Sequence, residues 1–202
     1  AASDVYKRQP LSNIVYMGMG EPLLNYDNLI KSINLISSKD GLSMSPKRIT
    51  VSTAGIAKMI KKLADDEVKF NLALSLHTAD DKKRDEIMPI NQSINIAKLE
   101  ESIKYFYERT GTRVTYEYIL FNGINDSIED ASKLLKLCKK TPSKVNLIEY
   151  NTVDGLSYKK STNKQTDMFI KYLEEKNIVV NLRRSKGKDI NAACGQLVNK
   201  LK

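Results

Sequence analysis

Six short apolar segments, each followed by an amphipathic stretch, constrain this chain most. Residues 14–17, 48–52, 71–76, 114–120, 144–149 and 178–182 read as strands. Between and after them, residues 26–38, 56–64, 80–87, 96–110, 127–140 and 162–176 carry apolar side chains at helical spacing, and 192–201 reads as a short closing helix. Apolar strands alternating with helices imply βα units and parallel pairing, because a parallel strand needs a crossover that a hairpin cannot supply. Five or six such units fit a partial βα barrel or a doubly wound sheet. No Gly-x-Gly-x-x-Gly follows a strand and no Walker A sequence occurs, which weakens nucleotide-fold readings.

At 202 residues the chain fits one domain with a substantial core. No segment approaches the roughly 18–20 apolar residues that span a bilayer, so no membrane partner is expected. Cys138 and Cys194 are the two cysteines; they make no disulfide framework, and a reducing cytosol is the expected compartment. The net charge of +9 favours a polyanionic partner. Lys139-Lys140 and Lys159-Lys160 read as solvated surface, whereas Arg183, Arg184, Lys186 and Lys188 stand just before Cys194 and read as phosphate contacts.

Polar and glycine-rich residues gather where strands end. Gly18-Met19-Gly20-Glu21-Pro22 closes the first strand and Ser52-Thr53-Ala54-Gly55 the second. Ser75-Leu76-His77-Thr78 closes the third and Glu149-Tyr150-Asn151 the fifth. Carboxyl ends of parallel strands are where βα folds build their sites, so these read as the floor of a ligand pocket. Cys194 lies between Ala193 and Gly195, with the basic run close by. Small neighbours leave a sulfur accessible and cations favour its thiolate, although a free cysteine is as readily a buried core residue. Cys138, within Leu134-Leu135-Lys136-Leu137-Cys138, has core spacing and reads as structural.

Taken in order, Val15–Asn25, Val51–Ile56, Leu74–His77, Asn146–Asn151 and Gly187–Leu197 resemble the radical S-adenosylmethionine (SAM) methyltransferases that methylate C2 of adenine in 23S rRNA and some tRNAs. The resemblance implies a partial (β/α)6 barrel lacking its first strand and the N-terminal domain. It implies that Gly20 and Glu21 hold the methionine amino group, that Ser52, Ser75, Leu76 and His77 take polar parts of SAM, and that Asn151 takes the adenosine end. Cys194 matches the family's methyl carrier. It is methylated by one SAM, loses hydrogen to a 5′-deoxyadenosyl radical from a second, and adds to the adenine carbon before a second cysteine resolves the crosslink. The implied cofactors are SAM and a [4Fe–4S] cluster, and the implied partners are 23S rRNA, tRNA and a reductant such as flavodoxin.

The chain departs from that family in one respect. The cluster is held by Cys-x3-Cys-x2-Cys, and no such spacing occurs here. The cluster ligands, the first barrel strand, the RNA-binding domain, the proton-accepting acid and the resolving cysteine are expected upstream. Residues 1–9 resemble the translation of a sequencing-library adapter, which leaves residues 10–202 as a methyltransferase core truncated on its N-terminal side. The expectation is that this fragment alone binds no cluster and does not methylate, and that its uncovered sheet edge lowers solubility. Three alternatives remain: a sister family acting on adenine C8, another radical SAM enzyme on the same barrel, and a non-catalytic RNA-binding α/β domain.

Overall fold

The computed structural model describes residues 11–152 and 155–184, and within them each expected strand and helix forms close to its expected place. The strands are β1 (Ile14–Tyr16), β2 (Ile49–Thr53), β3 (Asn71–Ser75), β4 (Val114–Leu120), β5 (Ser143–Glu149) and β6 (Val180–Arg183). They form one sheet in sequential order, and every neighbouring pair is parallel. The crossovers carry α1 (Tyr26–Ser37), α2 (Ala57–Asp65), α3 (Asp81–Ile87) with α4 (Ile96–Thr110), α5 (Ile128–Lys140) and α6 (Asn163–Glu174). The chain therefore has the α/β architecture of a partial barrel. The expected adapter scar and closing helix lie outside the described residues.

Local chemistry sets the helix ends. Ser127 caps α5 by accepting the Asp130 N–H, and the Asp130 carboxylate accepts the Ser127 N–H in return. Asn95 caps α4, which stops at Gly111 with a φ of 66°. Proline at the first positions starts three short 3₁₀ turns that periodicity alone does not show: Pro22–Asn25, Pro46–Arg48 and Pro89–Gln92.

The register divides the strand residues into two faces. Val51, Leu72, Leu74, Tyr116, Tyr118, Val145 and Leu147 point one way and are buried against Ile60, Leu63, Ile103, Phe106, Leu134 and Phe169 of the helices. Burying each such side chain contributes roughly 1.5–3 kcal/mol, which commits this face to the helix layer. The opposite face is polar: Ser75 on β3, Glu117 on β4, Asn146 on β5 and Asn181 on β6 stand in one row.

That polar face is concave. In a flat sheet, strands about 4.8 Å apart would place β6 roughly 24 Å from β1. Yet the Arg183 guanidinium on β6 lies 3.8 Å from the Met17 sulfur just after β1 and 3.4 Å from the Glu117 carboxylate on β4. One side chain bridges the sheet's two ends only if the sheet curls.

The turn after β2 depends on Gly55. Its φ is 109°, and an added Cβ would stand 2.6 Å from the Leu99 side chain on α4. Gly55→Ala is expected to lower unfolding stability by about 2 kcal/mol or more in denaturant melts, through backbone strain and overpacking. Gly18→Ala, where an added Cβ meets nothing within 4 Å, serves as the control and is expected to be nearly neutral.

Candidate functional site

Three strand ends are tied together by charged side chains acting on backbone. Glu21 follows β1, and its carboxylate accepts the Leu23 N–H at 3.1 Å and the Ala54 N–H at 2.6 Å. The first contact caps the 3₁₀ turn that follows, and the second fastens the end of β1 to the end of β2. From the far side, Arg84 on α3 donates to the Ala54 carbonyl at 3.0 Å. It also donates to the Ser75 and Leu76 carbonyls at 3.2 Å each, which brings in the end of β3. Gly20, at φ 89°, supplies the left-handed turn that aims Glu21 inward.

His77 sits beyond β3 in a left-handed backbone conformation, φ 59°, that a non-glycine residue holds only when its surroundings impose it. Its N–H donates to the Glu117 carbonyl, and its own carbonyl accepts from Asn125 Nδ2 at 2.6 Å. The ring Nδ1 accepts the Ile119 N–H at 3.2 Å. A ring nitrogen that accepts carries no proton, so the neutral ring bears its hydrogen on Nε2, as a donor for the cavity that His77 lines. Burial, with the Arg84 charge adding to it, pushes the imidazole from its ordinary 6.5 down to about 4.

These residues enclose a cavity of about 360 Å³ lined by Tyr16, Met17, Gly20, Glu21, Ser52, Ser75 and His77 among others. Five of the expected SAM contacts, Gly20, Glu21, Ser52, Ser75 and His77, therefore share one wall. The volume and the mix of hydroxyl, imidazole N–H and carboxylate groups suit a small polar cofactor. Leu76 does not line this cavity: its side chain is in the core, and it shapes the floor through its backbone. Asn151 is buried beyond the end of β5 and is not among the residues lining the cavity.

Arg183 has a different setting from the phosphate contact expected of it. It faces the concave side and pairs with Glu117, while Arg184 is exposed beside Glu149 and Lys160. Lys186, Lys188 and Cys194 lie outside the described residues. Glu117 itself was not singled out by sequence reasoning. It is 4% exposed, accepts from Asn146 Nδ2 at 2.7 Å, and burial raises its carboxyl above the ordinary range despite Asn146 and Arg183. Arg84 and Asn125 were missed as well. Strand alternation of Asn181 and Arg183 with Val180 and Leu182 could have placed Arg183 on the polar face; nothing local marks the other two.

An iron–sulfur cluster does not fit the residues present. Among the described residues no group of three or more His, Cys, Asp or Glu side chains could hold a metal ion. Cys138 is buried in α5, and burial pushes its thiol up to about 11, which leaves it inert. With Cys194 the only other cysteine, the chain cannot supply three thiolates.

The His77 shift fixes the sign of a pH effect. Between pH 6.5 and 4 the unfolded chain takes up a proton that the folded chain does not, so stability falls as pH falls through that window. His77→Asn tolerates the left-handed backbone and is expected to remove this part of the pH dependence in denaturant melts; an unchanged slope would contradict it.

The comparisons with known proteins agree with this geometry. The family model of the Radical SAM superfamily matches residues 2–135, about two thirds of the chain. A "Probable dual-specificity RNA methyltransferase RlmN" of Flavobacterium psychrophilum is 54% identical over 198 residues, 98% of this chain and 57% of the relative. A protein of the same description from Christiangramia forsetii is also 54% identical, over 98% of this chain and 56% of its own length. The chain thus spans somewhat more than half the length of the curated relatives it matches. The crystal structure of a radical SAM methyltransferase from Sphaerobacter thermophilus superposes with a TM-score of 0.92 at 35% identity, covering 97% of this chain and 57% of that one. By its family match, its six-stranded partial barrel and the cavity at its strand ends, this chain belongs to the radical SAM superfamily.

Proposed function

We propose that this chain is the SAM-binding part of an RNA methyltransferase that acts on adenine C2 in 23S rRNA and tRNA. The observation that carries the reading is the single cavity that gathers Gly20, Glu21, Ser52, Ser75 and His77 at three strand ends. Relatives described as dual-specificity RNA methyltransferases support the substrate class. Glu21 keeps lone pairs for the methionine ammonium beyond the two backbone N–H groups that it accepts. His77 Nε2–H and the two serine hydroxyls orient the remaining polar atoms.

In this reading Cys194 is the methyl carrier. Its thiol first loses a proton to solvent, favoured by the nearby basic residues. The thiolate sulfur then attacks the methyl of SAM: the new sulfur–carbon bond forms as the sulfonium–methyl bond breaks, and S-adenosylhomocysteine leaves with the electron pair. Arg184, Lys186 and Lys188 contact RNA phosphates, Arg183 is an inner-face residue available to them at its exposed edge, and Asn151 meets the adenosine end. The cluster, whose ligands this sequence does not contain, supplies one-electron cleavage of SAM from a reductant of the flavodoxin type. The 202-residue chain by itself neither binds the cluster nor methylates.

Two outcomes test the reading. In cells deprived of their own adenine-C2 methylation, the full-length protein carrying this sequence restores 2-methyladenosine in rRNA and tRNA nucleosides by mass spectrometry, and Cys194→Ala abolishes it. Restoration by the alanine variant would refute the carrier, and 8-methyladenosine would reassign the carbon. Anaerobic iron and sulfide reconstitution of the 202-residue chain gives no cluster absorbance; a stoichiometric band would overturn the claim for the isolated chain.

A further inference from the structure

Arg84 is the largest fully buried side chain in the described structure, at 0% exposure. Lysine and arginine are almost never buried this completely without a carboxylate partner. No salt bridge reaches Arg84 among the described residues. Its guanidinium is satisfied by neutral acceptors: the carbonyls of Ala54, Ser75 and Leu76, Asn91 Oδ1 at 2.9 Å and the Met88 sulfur at 3.6 Å. Asn91 is itself held from outside, its amide donating to Asp85 at 2.8 Å and Asp81 at 3.0 Å. The two acids thus hold the arginine's anchor and favour its charge from a distance, with no direct salt bridge to the guanidinium.

A leucine or methionine would fill this space at far lower desolvation cost, so packing does not account for a guanidinium. What a guanidinium alone does is donate along a rigid planar fork to several acceptors at once. Here the acceptors are the last carbonyls of β2 and β3, the segments whose Ser52, Ala54, Ser75 and His77 line the cavity. We propose that Arg84 is a positioning residue for the cofactor site: it fixes the separation of the β2 and β3 ends and holds His77 as a neutral hydrogen-bond donor to the ligand. This rests on the SAM reading for the identity of the ligand, but not for the effect on His77.

The setting of His77 fits that role. Leu76, the residue before it, is gripped through its carbonyl, so the left-handed turn at His77 starts from a fixed peptide. Burial first, and beside it the Arg84 charge approaching from α3, lower the imidazole's proton affinity; Glu21 lines the same cavity from the β1 side, and Glu117 on β4 meets His77 through its backbone carbonyl. Asn125 holds the His77 carbonyl from the loop beyond β4. A second cation at His77 is thereby disfavoured, and the ring is left as a donor.

The sequence has one histidine, so a labelled imidazole gives one unambiguous NMR titration. In the 202-residue chain, Arg84→Met and Arg84→Lys are compared with the unsubstituted chain for the His77 midpoint, the SAM Kd by calorimetry and the melting temperature. Arg84→Met, which leaves the burial in place and removes the charge, is expected to raise the midpoint and to weaken SAM roughly tenfold. Arg84→Lys keeps the charge without the fork, so the midpoint stays low while SAM weakens by the same factor. A folded Arg84→Met with both values unchanged overturns the proposal, even if its melting temperature drops. Should Arg84→Met not fold, Asn91→Ala decides: it loosens the fork from outside and is expected to weaken SAM by roughly threefold with an upward midpoint shift, and no change in either overturns the proposal. If the unsubstituted chain binds no SAM, the SAM reading fails, and the midpoints still decide whether Arg84 governs His77.

Discussion

The Ala54 peptide, gripped from both sides, is the constraint on which the site depends. Its N–H goes to Glu21 and its carbonyl to Arg84. Parallel strands hydrogen-bond along their length, but nothing in a ladder fixes what the chain does once the strand ends. Backbone groups beyond the last rung must find partners elsewhere or carry the cost of burial unpaired. Here a carboxylate and a guanidinium, one on each side, supply those partners for three consecutive strand ends. The result is a cavity wall whose shape is set by charge-assisted hydrogen bonds rather than by apolar packing.

The curl of the sheet serves the same end. Sequential parallel strands with apolar residues on the helix side leave the other face free for polar groups. Glu117, Asn146 and Asn181 occupy that face and bond to one another across β4, β5 and β6. Arg183 then spans the concavity to Met17 and pairs with the buried Glu117 carboxylate. The cavity that Ser52, Ser75 and His77 line lies at the β1–β3 ends, beside this network.

Much of the fold was legible because it rests on periodicity. Val51, Leu72, Leu74 and Leu147 announce strands, and the α4 and α5 repeats announce helices, since each pattern matches one local geometry. The barrel rather than a doubly wound sheet came from the resemblance; the alternation alone fits both. Gly20, Glu21, Ser52 and Ser75 could be found at strand ends because chain direction places them there. Arg84 could not. In Asp81-Lys82-Lys83-Arg84-Asp85 it reads as one more charge on a solvated helix, and its burial is created by carbonyls some 8 and 30 residues earlier in the sequence. Arg183 was read as a phosphate contact from its place in a basic run, and charge in a run does not say which face it takes.

The central claim is that the wall formed by Gly20, Glu21, Ser52, Ser75 and His77 holds the methionyl end of SAM. A crystal structure of the protein with SAM tests it most directly. The account predicts the ligand's amino group within hydrogen-bond distance of the Gly20 and Glu21 oxygens, with His77 Nε2 donating to the ligand. SAM seated instead in the neighbouring cavity of about 540 Å³ along Tyr16, Asn28 and Ser32, with Glu21 and His77 making no contact, would contradict it.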